Sequence, residues 1–128
     1  MNCVVPHSRP WIEPVDRAAL DDSLQTLMIS RGARVQAFEK AISIKLSALN
    51  TIACTSGTTA LYLALKILNI GVDDEVIMPT YVCSSVLAAV SSVGATPRLC
   101  DVNENGVVTI NSITPQLTAK TRAIIAVH

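Results

Sequence analysis

The sequence predicts an α/β fold, a mostly parallel sheet with helices on its faces, preceded by a helical lead-in. Three observations predict it. From Thr51 onward, short apolar runs alternate with apolar stripes at helical spacing, the pattern of repeated β-α-β units. Half of the 128 residues are hydrophobic and mean hydropathy is +0.44, yet no apolar run nears the roughly 18 residues of a membrane span. The excess apolar surface is therefore assigned to a buried sheet. Finally, the hydroxyl-rich turn Thr55-Ser56-Gly57-Thr58-Thr59-Ala60 falls between an apolar run and a helical stripe. Open α/β sheets place their ligands at such turns, beyond the carboxyl ends of the strands.

The elements follow in order, with residues 1–50 as the helical lead-in and 51–128 as the β-α-β units. Pro10 and Pro14 punctuate an extended start, and a helix begins near Pro14 with Val15, Ala18, Ala19, Leu24 and Leu27 as its stripe. Ser30-Arg31-Gly32 breaks it. The second helix carries Val35, Phe38, Ile42, Leu46 and Leu49 on one face and stops at Asn50. Arg34, Glu39, Lys40 and Lys45 read as its solvated side. Thr51-Ile52-Ala53-Cys54 reads as a buried strand, and Ala60, Leu61, Ala64, Leu65 and Leu68 as the helix after the turn. Asn69-Ile70-Gly71 ends that helix. Glu75 to Met78 is a strand closed by Pro79, and Val82, Val86, Ala89 and Val93 make the next helix, with Gly94 at its C′ position. Arg98 to Val102 is a strand, Asn103-Glu104-Asn105-Gly106 a turn leading to Val107-Val108-Thr109, and Pro115 keeps the following helix short. Ala123 to Val127 is the last strand. No helix follows it to cover it, which predicts a bare sheet edge or face, a larger parent domain, and self-association of the chain alone.

Composition narrows the function. Lysine plus arginine balance aspartate plus glutamate at formal net charge +0, and aromatic residues are 3% of the chain. Neither electrostatic steering toward nucleic acid or an anionic membrane nor a base-stacking platform is expected. Cys3, Cys54, Cys83 and Cys100 show no CxxC pairing and no histidine at ligand spacing, so no metal site is expected. They read as reduced, buried cysteines of a cytoplasmic protein. The first seven residues lack the basic and long apolar segments of a secretory leader.

The turn itself offers a phosphate site. Gly57 allows close approach of an oxygen, while N–H groups at the helix start and the hydroxyls of Ser56, Thr58 and Thr59 are donors. The same residues serve equally as a Ser/Thr N-cap on an ordinary helix, and local chemistry leaves both readings open. Neither a GxGxxG nor a Walker pattern is present.

Several blocks carry a family resemblance. Ser56-Gly57-Thr58-Thr59-Ala60-Leu61, then Gly71 with Asp74-Glu75-Val76-Ile77-Met78-Pro79, then Gly94-Ala95 with Pro97 and Asp101, resemble the DegT/DnrJ/EryC1/StrS aminotransferases. So do Lys120 to His128 and the stretch Gly32 to Glu39, which is similar to the family's G-x-x-V-x-x-F-E segment. The resemblance is collinear and covers roughly the first third of a family subunit. It implies the N-terminal part of the large domain of type I pyridoxal-phosphate enzymes, working as cytoplasmic homodimers in nucleotide-sugar biosynthesis. They aminate nucleotide-linked keto-sugars with glutamate as donor. It assigns Ser56, Gly57 and Thr58 to the cofactor phosphate and puts Cys83 where the family has an aromatic residue stacked on the pyridine ring.

Tyr81, the nearest aromatic, is expected to be packed, Asp101 to be structural, and His128 to begin the family's His-aromatic-Gly stretch. Lys40, Lys45, Lys66 and Lys120 match no Schiff-base context, and the acid that pairs with the ring nitrogen belongs to a later motif. No catalytic residue is therefore expected here, and the chain alone is expected to be inactive. A catalytically dead partner of an intact family subunit and a small phosphate-binding α/β module are the alternatives.

Overall fold

The computed structural model describes residues 8–127. Cys3, the segment read for a leader, and His128 lie outside the described residues. The chain divides into two compact units, Met1–Ala53 and Cys54–His128.

In the first unit, helix α1 spans Pro14–Gln25 and helix α2 spans Ala33–Leu46. Pro14 sits at the helix start, where its missing N–H costs nothing, and the Asp16 carboxylate accepts from the Glu13 N–H at 2.8 Å. Leu27, in the left-handed region at φ 55°, turns the chain out of α1. Helix α2 ends earlier than the sequence predicts. Ser47 takes φ 51° and the Ala48 N–H donates back to the Ser43 carbonyl, so Leu49 falls beyond the helix and is exposed. Arg34 pairs with Asp22 at 2.5 Å, joining the two helices.

In the second unit, α3 (Gly57–Ile67), β1 (Glu75–Pro79), α4 (Ser84–Ser92), β2 (Thr96–Cys100), α5 (Ile110–Ile113) and β3 (Thr121–Ile124) follow one another. A 3₁₀ turn, Thr114–Gln116, extends α5 and holds Pro115. The sheet is wholly parallel among the described residues, in the order β2-β1-β3. Its core is Leu65, Ile70, Val76, Met78, Val86, Val90, Val93 and Ala95, with Leu61, Tyr62 and Ile125 packed on it. Each of the fully buried valine, leucine, isoleucine and methionine side chains contributes on the order of 1.5–3 kcal/mol of hydrophobic stabilisation. Gly94, at φ 86°, makes the tight exit from α4; a Cβ there would lie 3.1 Å from Val72 Cγ2.

Three further sequence expectations change. Strand β2 begins at Thr96 rather than Arg98, because Pro97 is tolerated on an edge strand, whose outer side needs no donor. Strand β3 begins at Thr121 rather than Ala123, in register with Glu75 of β1. Thr51 to Cys54 belongs to no strand among the described residues and is largely exposed. It is extended chain, and the Ala53 N–H donates to the Glu39 carboxylate at 2.9 Å.

Candidate functional site

The Thr55–Thr59 turn starts α3, a helix of 11 residues. Ser56, in extended conformation, is its N-cap: its Oγ accepts from the Thr59 N–H at 3.1 Å and lies 3.0 Å from Thr59 Oγ1. Thr55 Oγ1 lies 3.3 Å from the same Thr59 hydroxyl. The capping function of Ser56 is thus realised, while Gly57 and Thr58 keep their N–H groups free of intramolecular acceptors among the described residues. These orphan donors and the positive end of the helix dipole suit an anion.

Gly57 supplies an independent test of fit to a phosphate group. A Cβ built there would meet no atom within 4 Å, and its φ is not left-handed, so the protein's own packing does not require glycine. Open space at Gly57 is what close approach of an oxygen needs. Thr58 and Thr59 also line a groove of about 430 Å³ with Tyr62, Ala89 and Ser92.

Cys83 is the N-cap of α4, four positions beyond Pro79 at the carboxyl end of β1. It is exposed, not buried as the sequence suggests, and so is Cys54; Cys100 alone among the described cysteines is buried. The Ser85 hydroxyl, then the Ser85 amide, hold the Cys83 thiol below the ordinary thiol range. Burial, then the neighbouring Asp101 carboxylate, push Cys100 up. Asp101 itself is exposed just after β2. Tyr81, expected to pack, is 77% exposed, with Gly106 beside its ring. The turn brings Ser56, Gly57 and Thr58 together. Among the described residues, no hydrogen bond and no shared pocket joins Cys83 to them.

Glu39 is the residue that sequence reading misplaced. Instead of facing solvent with Arg34, Lys40 and Lys45, its side chain is only 13% exposed and accepts from the Ala53 N–H at 2.9 Å. The only signal was its place at the end of the G-x-x-V-x-x-F-E segment. Lys40 and Lys45 lie on α2, Lys66 sits over the Tyr62 ring at 5.9 Å, and Lys120 precedes β3. No group of histidine, cysteine, aspartate and glutamate that could hold a metal occurs among the described residues. No helix among them is long and apolar enough to cross a membrane.

The family model for DegT/DnrJ/EryC1/StrS aminotransferases matches residues 11–128. The chain belongs to that family. The spore coat polysaccharide biosynthesis protein SpsC of Bacillus subtilis is 34% identical over 131 residues, 99% of this chain and 33% of SpsC. The aminotransferase from Psychrobacter cryohalolentis superimposes with a TM-score of 0.90 at 33% identity, over 96% of this chain and 32% of that one. Spr1654 of Streptococcus pneumoniae, a candidate sugar aminotransferase in its PLP form, gives a TM-score of 0.88 at 28% identity, over 94% and 31%. The chain therefore spans about a third of the length of these relatives, and its α/β fold is that of the matching third of these aminotransferases.

Proposed function

We propose that this chain supplies the phosphate-holding portion of a pyridoxal-phosphate-dependent aminotransferase. Its substrates are nucleotide-linked keto-sugars with glutamate as amino donor, and it acts in the cytoplasm as a homodimer. The observation that carries the reading is the α3 start: two N–H groups without acceptors and open space at Gly57, within the residues that the family model matches. The Gly57 and Thr58 N–H groups and the Thr58 hydroxyl would donate to the phosphate, and Ser56 keeps the helix start in shape. Cys83 would lie against the face of the ring, with far less flat surface than an aromatic side chain would give. When bound, pyridoxal phosphate supplies an aldehyde to carry nitrogen and a ring to accept electrons from the reacting carbon. The residues of this chain bind and orient; none of its lysines stands in a context that would serve the chemistry.

The test grafts residues 11–128 in place of the matching third of the Psychrobacter aminotransferase. Thr58→Ala in that chimaera should weaken cofactor binding by roughly 1–3 kcal/mol, the loss of one donor to a charged acceptor. Unchanged affinity would leave Thr58 as a helix-start residue only. The 128-residue chain alone should bind the cofactor weakly, in competition with phosphate, and transfer no amino group from glutamate. Stoichiometric borohydride trapping on one of its lysines, together with turnover, would overturn this division of labour.

A further inference from the structure

We propose that Thr59 is a positioning residue for the phosphate-holding turn: its uncharged hydroxyl ties Thr55 and Ser56 across Gly57 and puts no negative charge beside the anion. The inference rests on reading Ser56 to Thr58 as the phosphate cradle. The open space at Gly57 that admits an oxygen has a cost, because glycine leaves the backbone its widest freedom where the N–H donors must be held. Thr59 answers it from the helical side of the glycine. Its N–H donates to Ser56 Oγ at 3.1 Å, and its Oγ1 lies 3.0 Å from Ser56 Oγ and 3.3 Å from Thr55 Oγ1. Residues on the two sides of Gly57 are thus joined. Both contacts engage the Thr59 hydroxyl within the turn, so it acts on the donors of Gly57 and Thr58 and not as a ligand.

Two other helix starts show what is unusual here. Thr59 is the third residue of α3, the place where a capping box has its acid. At α1 that place holds Asp16, whose carboxylate accepts from the Glu13 N–H at 2.8 Å. At α5 it holds Ser112, whose Oγ accepts from the Thr109 N–H at 3.0 Å. Both reach back to the backbone of the N-cap residue. Thr59 turns to side chains instead, and α3 has no acidic residue in its first turn. A glutamate at this place would serve the helix better, since it completes the box and complements the dipole. It would also set a carboxylate against a bound phosphate. The hydroxyl gives the tie without the repulsion.

The experiment uses the full 128-residue chain and follows two readouts: equilibrium dialysis of pyridoxal phosphate and of inorganic phosphate, and urea unfolding. Thr59→Val keeps the shape, loses the hydroxyl and should bind both probes about tenfold more weakly. Thr59→Ser restores the hydroxyl and should stay within about threefold of the parent. Thr59→Glu should be at least as stable as the parent in urea, yet bind both probes more than about tenfold more weakly, a gap that narrows in high salt. A residue that only stabilised the helix would move affinity and stability together. Parent affinity in Thr59→Val or in Thr59→Glu, or a loss in Thr59→Ser equal to that in Thr59→Val, overturns the proposal. Should Thr59→Val fail to fold, Thr55→Val decides: a loss of about threefold supports the tie, and unchanged affinity overturns it. A parent chain that binds neither probe fails the cradle reading and this proposal with it. Binding that falls in Thr58→Ala but is indifferent to Thr59 and Thr55 fails only the latter.

Discussion

The two units spend their apolar residues differently. In Cys54–His128, Val76, Ile77, Met78 and Pro79 of β1 are all buried, flanked by strands on both sides. In the first unit, α1 and α2 also carry apolar stripes at helical spacing, yet neither helix buries a residue fully. Leu20, Leu24, Phe38 and Leu46 are each more than half exposed. The contrast shows what a periodic pattern specifies. It fixes which face of a helix is apolar, and says nothing of what covers that face.

The sharpest way to break this contrast is a pair of truncations. Ile77→Ala removes a fully buried side chain from the central strand and should cost about 2–5 kcal/mol in urea unfolding. Leu24→Ala on α1 should change stability by no more than about 0.5 kcal/mol, since it removes an exposed side chain and installs the best helix former. Equal costs at the two positions would mean that α1 packs as tightly as the sheet.

Thiol chemistry offers a second contrast, this time inside one unit. Cys83 is exposed at a helix start with its thiol shifted downward, whereas Cys100 is buried, shifted upward, and donates to the Met78 carbonyl at 3.5 Å. Alkylation at neutral pH should modify Cys83 on the order of a hundredfold faster, because Cys100 must await local opening of the sheet. Comparable rates would show that β2 opens freely. A smaller effect is expected when the same thiol is replaced. In the grafted aminotransferase, Cys83→Phe should tighten cofactor binding by about 0.5–1.5 kcal/mol if the ring lies there. Loss of folding instead would place Cys83 in the core of the assembled enzyme.

Much of this architecture was legible in the sequence, for identifiable reasons. Pro14 marked the start of α1, Gly94 the end of α4, and Pro115 the brevity of α5, because each restricts the backbone locally. The strand bounds were less legible. Apolar content points to Arg98 to Val102 and Ala123 to Val127, but register with β1 starts the strands at Thr96 and Thr121. Arg122 can join β3 because its side chain is exposed and lies 4.0 Å from Asp74. The turn at Ser56 to Thr58 was legible because capping and anion binding use the same short-range chemistry. Exposure of Cys54, Cys83 and Tyr81 was not, since neighbouring apolar letters do not reveal where a helix start will project them. Glu39 escaped for the opposite reason: its partner Ala53 is far along the chain, and no local pattern announces such a contact.

The smallest expected effect concerns that same contact. Donation from the Ala53 N–H lowers the Glu39 pKa; burial opposes this, and Arg31 adds to it by charge and hydrogen bonding. A carboxyl whose folded value lies below its unfolded value contributes stability that is fully present above the ordinary carboxylate range. That contribution is lost as pH falls through the lowered folded value. The protection factor of the Ala53 amide should therefore hold at neutral pH and fall in acid, while the amides of β1, bonded only to other backbone groups, show no such step. Glu39→Gln should abolish the pH step while keeping most of the protection, because the amide oxygen still accepts but cannot titrate. A step that persists in Glu39→Gln would assign it to a group other than the Glu39 carboxylate.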